Sequence, residues 1–219
     1  MPNNSRMPSS PILNPDTTWL RQRFTGRRRG ALTGQSREEI PEDATLRPAS
    51  VLIPVIEREQ GLTVLFTRRT EHLQAHAGQI SFPGGGTEPG DTSPIATALR
   101  ETEEEIGLHP RHVEILGSLW EHSTGTGYRI TPVVGLVRPP FDLRLDEFEV
   151  ASIFEVPLPF LLDPANYRRD SMTREGRRRE FDAVPYGEQY IWGATAAMLR
   201  QLYFYLLDQS QGNAEQIPD

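Results

Sequence analysis

Residues Phe82 to Leu108 read FPGGGTEPGDTSPIATALRETEEEIGL. A glycine-rich turn feeds a short helix that closes on an acidic cluster, with Arg100, Glu101, Glu104, Glu105 and Gly107 in the pattern R-E-x-x-E-E-x-G. On a helix, Glu101, Glu104 and Glu105 stand at i, i+3 and i+4, so their carboxylates share one face. Like charges at that spacing repel, and a divalent cation between them removes the cost. Hard cations such as magnesium favour carboxylate oxygens and bridge to substrate phosphates, so the segment points to a metal site for phosphate chemistry. The other face supports a packed helix: Ile95, Leu99, Thr102 and Ile106 make an apolar stripe. Ser93 is the expected N-cap with Pro94 at the first helical position. Gly107 is the expected left-handed terminator, and Pro110 blocks continuation.

The 219 residues suffice for one sizeable core. A net charge of -7 argues against a dedicated nucleic-acid binder. All 23 basic residues are Arg, a residue suited to bidentate phosphate grips. No Cys is present, so disulfide and thiolate chemistry are excluded. The opening MPNNSRMPSS lacks the apolar core of a secretory signal, and apolar runs are too short to span a bilayer. A soluble, cytoplasmic protein with no membrane or nucleic-acid partner is expected.

Outward from the acidic helix, hydrophobic patterning places strands at Val51–Ile56, Leu62–Thr67, Gly78–Phe82, Val113–Trp120, Ile130–Val137 and Glu149–Val156. A short helix is expected near Phe160–Leu162, a hairpin around Glu175–Gly176, and a closing helix over Ala194–Leu207. Helices interleaved with a mixed sheet predict an α/β sandwich. Residues 1–30 are expected to be a disordered or loosely packed arm, within which Asp16 caps a short helix carrying Trp19, Leu20 and Phe24. Residues 31–210 are expected to form one domain, and 211–219 a disordered tail.

Other features are weaker. His72 and His76 stand four apart but lack the glutamate of a zinc protease motif and a third ligand nearby. They are expected to be loop or substrate-pocket residues. Gly117 to Gly127 contains no Gly-Lys-Ser/Thr and is not a P-loop. The runs Arg27–Arg29 and Arg174–Arg179 are read as solvated, the second also as a candidate phosphate grip.

The segment resembles the Nudix box, G-x5-E-x7-R-E-U-x-E-E-x-G-U, through Gly85, Arg100, Glu101, Glu104, Glu105, Gly107 and Leu108. Asp91 takes the place of the first Glu, with one extra residue before Arg100, and Thr102 replaces an aliphatic. Upstream, Leu65 to Thr70, Gly78 and Phe82–Gly85 are similar to the second signature of the coenzyme A pyrophosphatase branch. Gln74 stands where that signature carries a second Arg. Tyr128, Thr131–Gly135, Glu149–Val150, Phe154–Pro157 and Ile191–Gly193 extend the likeness over roughly residues 49–208.

The resemblance implies the Nudix α/β/α sandwich, with a mixed sheet and a loop–helix–loop metal site. It also implies hydrolysis of coenzyme A and its derivatives to 3′,5′-ADP and 4′-phosphopantetheine. Glu101, Glu104 and Glu105 are the implied ligands of Mg2+ or Mn2+. Arg100 is implied to orient a glutamate, and Gly84 and Gly85 let the backbone approach the site. Glu105 and Glu149 are the base candidates, with Glu147 a neighbouring alternative. Arg69 and Tyr128 are candidate substrate contacts. A nucleoside diphosphate derivative such as ADP-ribose or a dinucleotide polyphosphate is the alternative substrate, and a Nudix-fold nucleotide sensor the alternative role.

Overall fold

The computed structural model describes residues 15–25, 45–73, 76–174 and 177–207. Gln74, the Glu175–Gly176 turn, Arg27–Arg29 and the 211–219 segment lie outside them, as do the side chains of Arg174 and Arg177.

In chain order the elements are α1 (Thr17–Phe24), β1 (Arg47–Arg58), β2 (Gly61–Arg69), β3 (Ile80–Ser81), β4 (Gly84–Gly86) and α2 (Pro94–Ile106). Then come β5 (Val113–Ser118), β6 (His122–Ser123), β7 (Tyr128–Val137), β8 (Val150–Pro157) and α3 (Leu158–Leu161). The chain finishes with β9 (Arg168–Arg174), β10 (Arg177–Tyr186), β11 (Gln189–Trp192) and α4 (Gly193–Leu207).

The centre of the main sheet is β1. It runs parallel to β7 from Arg47 to Ile56 and antiparallel to β2 over Val55–Arg58. Its positions Ala49 to Ile56 are all buried. An unbroken apolar run of this kind belongs to a strand covered on both faces. Accordingly Val51, Ile53 and Val55 enter the cluster packed by α1, α3 and α4, whereas Leu52 and Ile56 pack with Ala98 and Ile106 of α2. This is a mixed sheet between helical layers, the arrangement the sequence predicts.

Beyond their paired ends β1 and β2 part company. The segment Ile80–Gly86 fills the opening: β3 pairs with β2, β4 pairs with β1, and Leu52 donates its N–H to Pro83 O at 2.9 Å. The glycine turn is thereby held inside the sheet, directly under α2. A second antiparallel sheet, ordered β11-β10-β9, carries the hairpin expected from the sequence. Val184 and Ile191 of this sheet join the α4 side of the core.

The short helix expected with Asp16 as its cap is α1, and it is docked: Asp16 accepts from Trp19 N–H, and Leu20 is fully buried. Arg21 meets Glu114 in a two-pronged ion pair at 2.8 and 3.0 Å. The buried stripe of α2 is rotated from the expected one. Ala98, Thr102, Glu105 and Ile106 are buried, while Ile95 and Leu99 are only half-buried. Thr102 tolerates an apolar site because its hydroxyl donates to Ala98 O at 2.6 Å.

Candidate active site

The α2 helix forms where its caps demand. Ser93 Oγ accepts from Ala96 N–H, Pro94 opens the first turn, and Gly107 ends the helix at φ 70°. The C-terminal end is then anchored to the loop before β8, with Arg144 N–H on Ile106 O at 2.9 Å and Asp146 N–H on Glu105 O at 2.8 Å.

Arg100 is the hub of the acidic face. Its guanidinium makes a two-pronged bond to Asp91 at 3.1 and 2.9 Å, reaches Gly86 O at 3.0 Å, and pairs with Glu101 at 3.0 Å and Glu104 at 2.9 Å. It therefore holds two glutamates of the helix at once. Asp91 is more than the substitute residue its position suggested. Its carboxylate also accepts from Glu88 N–H at 2.9 Å and Thr97 Oγ1 at 3.0 Å, closing the loop onto the helix. The two-pronged Arg100 bond, with help from Glu88 N–H and Thr97, holds the Asp91 carboxyl well below the usual carboxylate range.

Glu105 faces inward and is 5% exposed. Its Oε2 accepts from Gly84 N–H at 3.2 Å, and its Oε1 lies 3.8 Å from Arg69. Burial pushes this carboxyl up to about 8; Gly84 N–H and Arg69 oppose the rise, and the charges of Glu149 and Glu101 reinforce it. Burial likewise raises Glu101, against the pull of Arg100. Arg69 spans from Glu105 to Glu149, 4.0 Å away on its other side. The structure thus gathers Arg69, Glu101, Glu105 and Glu149 from three separate stretches of sequence.

The glycines are required by this closeness. A Cβ on Gly85 would stand 2.5 Å from Glu101 Oε2, and one on Gly84, at φ 150°, would stand 2.4 Å from Ser50 O.

The remaining candidates sit apart. The side chain of Glu104 is 59% exposed and paired with Arg100. Tyr128 opens β7 with the Arg47 guanidinium 4.2 Å over its ring. His76 Nδ1 bonds Gln79 Oε1, and His72 packs against Phe148. Glu147 lines a groove with Glu104. Sequence reading missed the inward turn of Glu105 and the clasp on Asp91. The Asp91-to-Arg100 spacing was the available signal for the second.

Among the described residues no three His, Asp or Glu side chains are gathered tightly enough to hold a metal ion unaided. The donor set nevertheless suits a hard divalent cation in kind. Burial raises the carboxyls of Glu101 and Glu105, the neighbouring Glu149 charge adds to both, and a bound cation would offset that cost.

A family model for the NUDIX domain matches residues 46–174. The chain belongs to the Nudix family. Nudix hydrolases act on pyrophosphate bonds of nucleotide derivatives and generally use divalent metal ions. Over 159 residues, 73% of this chain and 79% of the relative, it is 44% identical to "Uncharacterized Nudix hydrolase NudL" of Yersinia pestis (strain Pestoides F). The NudL of Yersinia pseudotuberculosis serotype O:1b (strain IP 31758) matches to the same degree. Among solved structures, the MutT NUDIX hydrolase from Burkholderia pseudomallei aligns with 71% of this chain and 97% of its own, at 19% identity and a TM-score of 0.44. Among the described residues of this Nudix protein, no helix is long and apolar enough to cross a membrane.

Proposed function

We propose that this Nudix protein hydrolyses the pyrophosphate bond of coenzyme A and its derivatives, releasing 3′,5′-ADP and 4′-phosphopantetheine. The observation that carries the reading is the convergence of Arg69, Glu105 and Glu149. Arg69 comes from the segment similar to the coenzyme A branch, Glu105 from the acidic helix, and Glu149 from the distal region expected to supply a base.

Glu101, Glu104 and Glu105 are the residues that would hold Mg2+ or Mn2+. Such an ion supplies charge neutralisation on the diphosphate and acidifies a bound water. Arg69, between Glu105 and Glu149, would turn its guanidinium from one of these carboxylates to a phosphate oxygen of the substrate. Glu149 is the preferred base, because its side chain is 43% exposed and reachable by water whereas Glu105 is enclosed. Arg100 acts through Glu101 and Glu104, fixing their carboxylates without reaching substrate. The Gly84–Gly86 strand leaves room for a charged group beside Glu101.

Gln74, in place of an Arg in the branch signature, favours a second substrate class, ADP-ribose or a dinucleotide polyphosphate. Comparing kcat/KM for coenzyme A, 3′-dephospho-coenzyme A, ADP-ribose and a diadenosine polyphosphate, with magnesium present, tests the choice. Coenzyme A is expected to lead. ADP-ribose in the lead, with coenzyme A untouched, would move the substrate and leave the pyrophosphatase reading in place.

A further inference from the structure

Phe148 is 66% exposed, the most exposed large apolar side chain among the described residues. An exposed ring forgoes burial that stabilises a fold, so its placement asks for another cause. The backbone that carries it is pinned on every side. Phe148 N–H donates to Asp146 Oδ1 at 2.9 Å, and its carbonyl accepts from Thr70 Oγ1 at 2.8 Å. Glu149 N–H reaches Asp146 O at 3.0 Å, and Glu149 O accepts from Thr70 N–H at 3.0 Å. The ring is therefore presented to solvent by a fixed turn, with His72 packed against it at 4.8 Å between ring centroids. The next residue, Glu149, pairs with Arg69 at the centre of the site.

We propose that Phe148, backed by His72, is the stacking platform for the nucleobase of the substrate, and so a specificity-determining residue. The proposal rests on reading the Arg69–Glu105–Glu149 centre as the seat of the diphosphate. A diphosphate there has two arms, and the turn at 146–149 divides the space available to them. On one side runs a groove of about 930 Å3 lined by Glu103, Glu104, Asp146 and Glu147, with Arg144 the one cation. That side repels a phosphorylated nucleoside and accepts a neutral chain such as pantetheine. Phe148 and His72 pack on each other outside that lining, and Phe148 adjoins Glu149, the partner of Arg69. An exposed aromatic face one residue from the Arg69-paired Glu149 suits a purine, whose stacking is tolerant of detail because every base has a π-face.

Equilibrium binding of ADP and of inorganic pyrophosphate, each with magnesium, to wild type, Phe148→Ala and Phe148→Trp tests this without turnover. Wild type is expected to hold ADP more tightly than pyrophosphate. Phe148→Ala should weaken ADP by about tenfold or more and leave pyrophosphate unchanged, and Phe148→Trp should restore ADP. A melt of each variant checks that the exposed substitution has left the fold intact. Unchanged ADP affinity in Phe148→Ala would overturn the platform, as would an equal loss for both ligands. Loss of ADP binding alone, in an enzyme that ignores coenzyme A, would sustain the platform and reject the substrate proposed above.

Discussion

Glu105 carries the clearest electrostatic signature. Its carboxyl is ordinary in the unfolded chain and is raised to about 8 in the fold, by burial first. Between those values the folded state holds a proton that the unfolded state has released. Stability from this group is complete at acid pH and is lost as pH rises from about 4.5 towards 8. The metal-free protein should therefore show a melting temperature that declines over this window. Glu105→Gln should flatten that part of the profile, by an amount on the order of a few kcal/mol across the window. Melts recorded from pH 5 to pH 8.5 in a chelator check this, and an unchanged slope in the variant would show that the carboxyl is ionised throughout.

Glu104 behaves differently because it is exposed and its partner is Arg100. Glu104→Gln costs a surface ion pair worth no more than about 1 kcal/mol, so the melt should barely move. Turnover should fall at least as far as the roughly ten- to hundredfold that loss of an outer-shell partner costs a metal site. Near wild-type turnover in a folded Glu104→Gln protein would remove Glu104 from the metal ligands.

At the scale of elements, α1 ties the N-terminal region to the body through Leu20, the Arg21–Glu114 pair and Phe24 against Tyr205. Leu20→Ala should cost about 2–5 kcal/mol, the range for emptying a well-packed apolar site. A chain beginning at Gly30 should melt lower for the same reason and still keep kcat per folded molecule, since α1 is held on Glu114, Gly117 and Tyr205 rather than on the α2 side of the sheet. A fall in kcat without unfolding would place the arm at the active site.

The limits of sequence reading show at this scale too. The helix Pro94–Ile106 was legible to its ends because Ser93, Pro94 and Gly107 are local signals with local causes. Its rotation was not. Whether Leu99 or Glu105 turns inward depends on the glycine strand beneath, where Gly84 N–H offers Glu105 a bond and the absent Cβ of Gly85 leaves Glu101 room. Asp91 reads in the sequence only as the residue in place of the first Glu; its hold on Arg100 and Thr97 depends on how the loop folds back. Phe148 gave no sequence signal, because one Phe in a polar turn looks the same whether it folds inward or stands out. Strands β1 and β2 were plain from their β-branched runs, but their parting to admit Ile80–Gly86 is a tertiary event without a periodicity of its own.

For the whole molecule, function follows from how that opening in the sheet is filled. Glycines enter it, α2 crosses above it, and β2 and β8 deliver Arg69 and Glu149 to its rim. Three distant stretches of sequence thereby meet around a single buried carboxyl. An anionic substrate held with a cation is what we propose for this geometry, and the Nudix family supplies the reaction class. The most direct measurement is product mass analysis after coenzyme A is incubated with the full-length protein and magnesium. The account predicts 3′,5′-ADP and 4′-phosphopantetheine in equal amounts, with none formed in chelator. An inert mixture, repeated with every nucleoside diphosphate derivative tried and with manganese in place of magnesium, would contradict it.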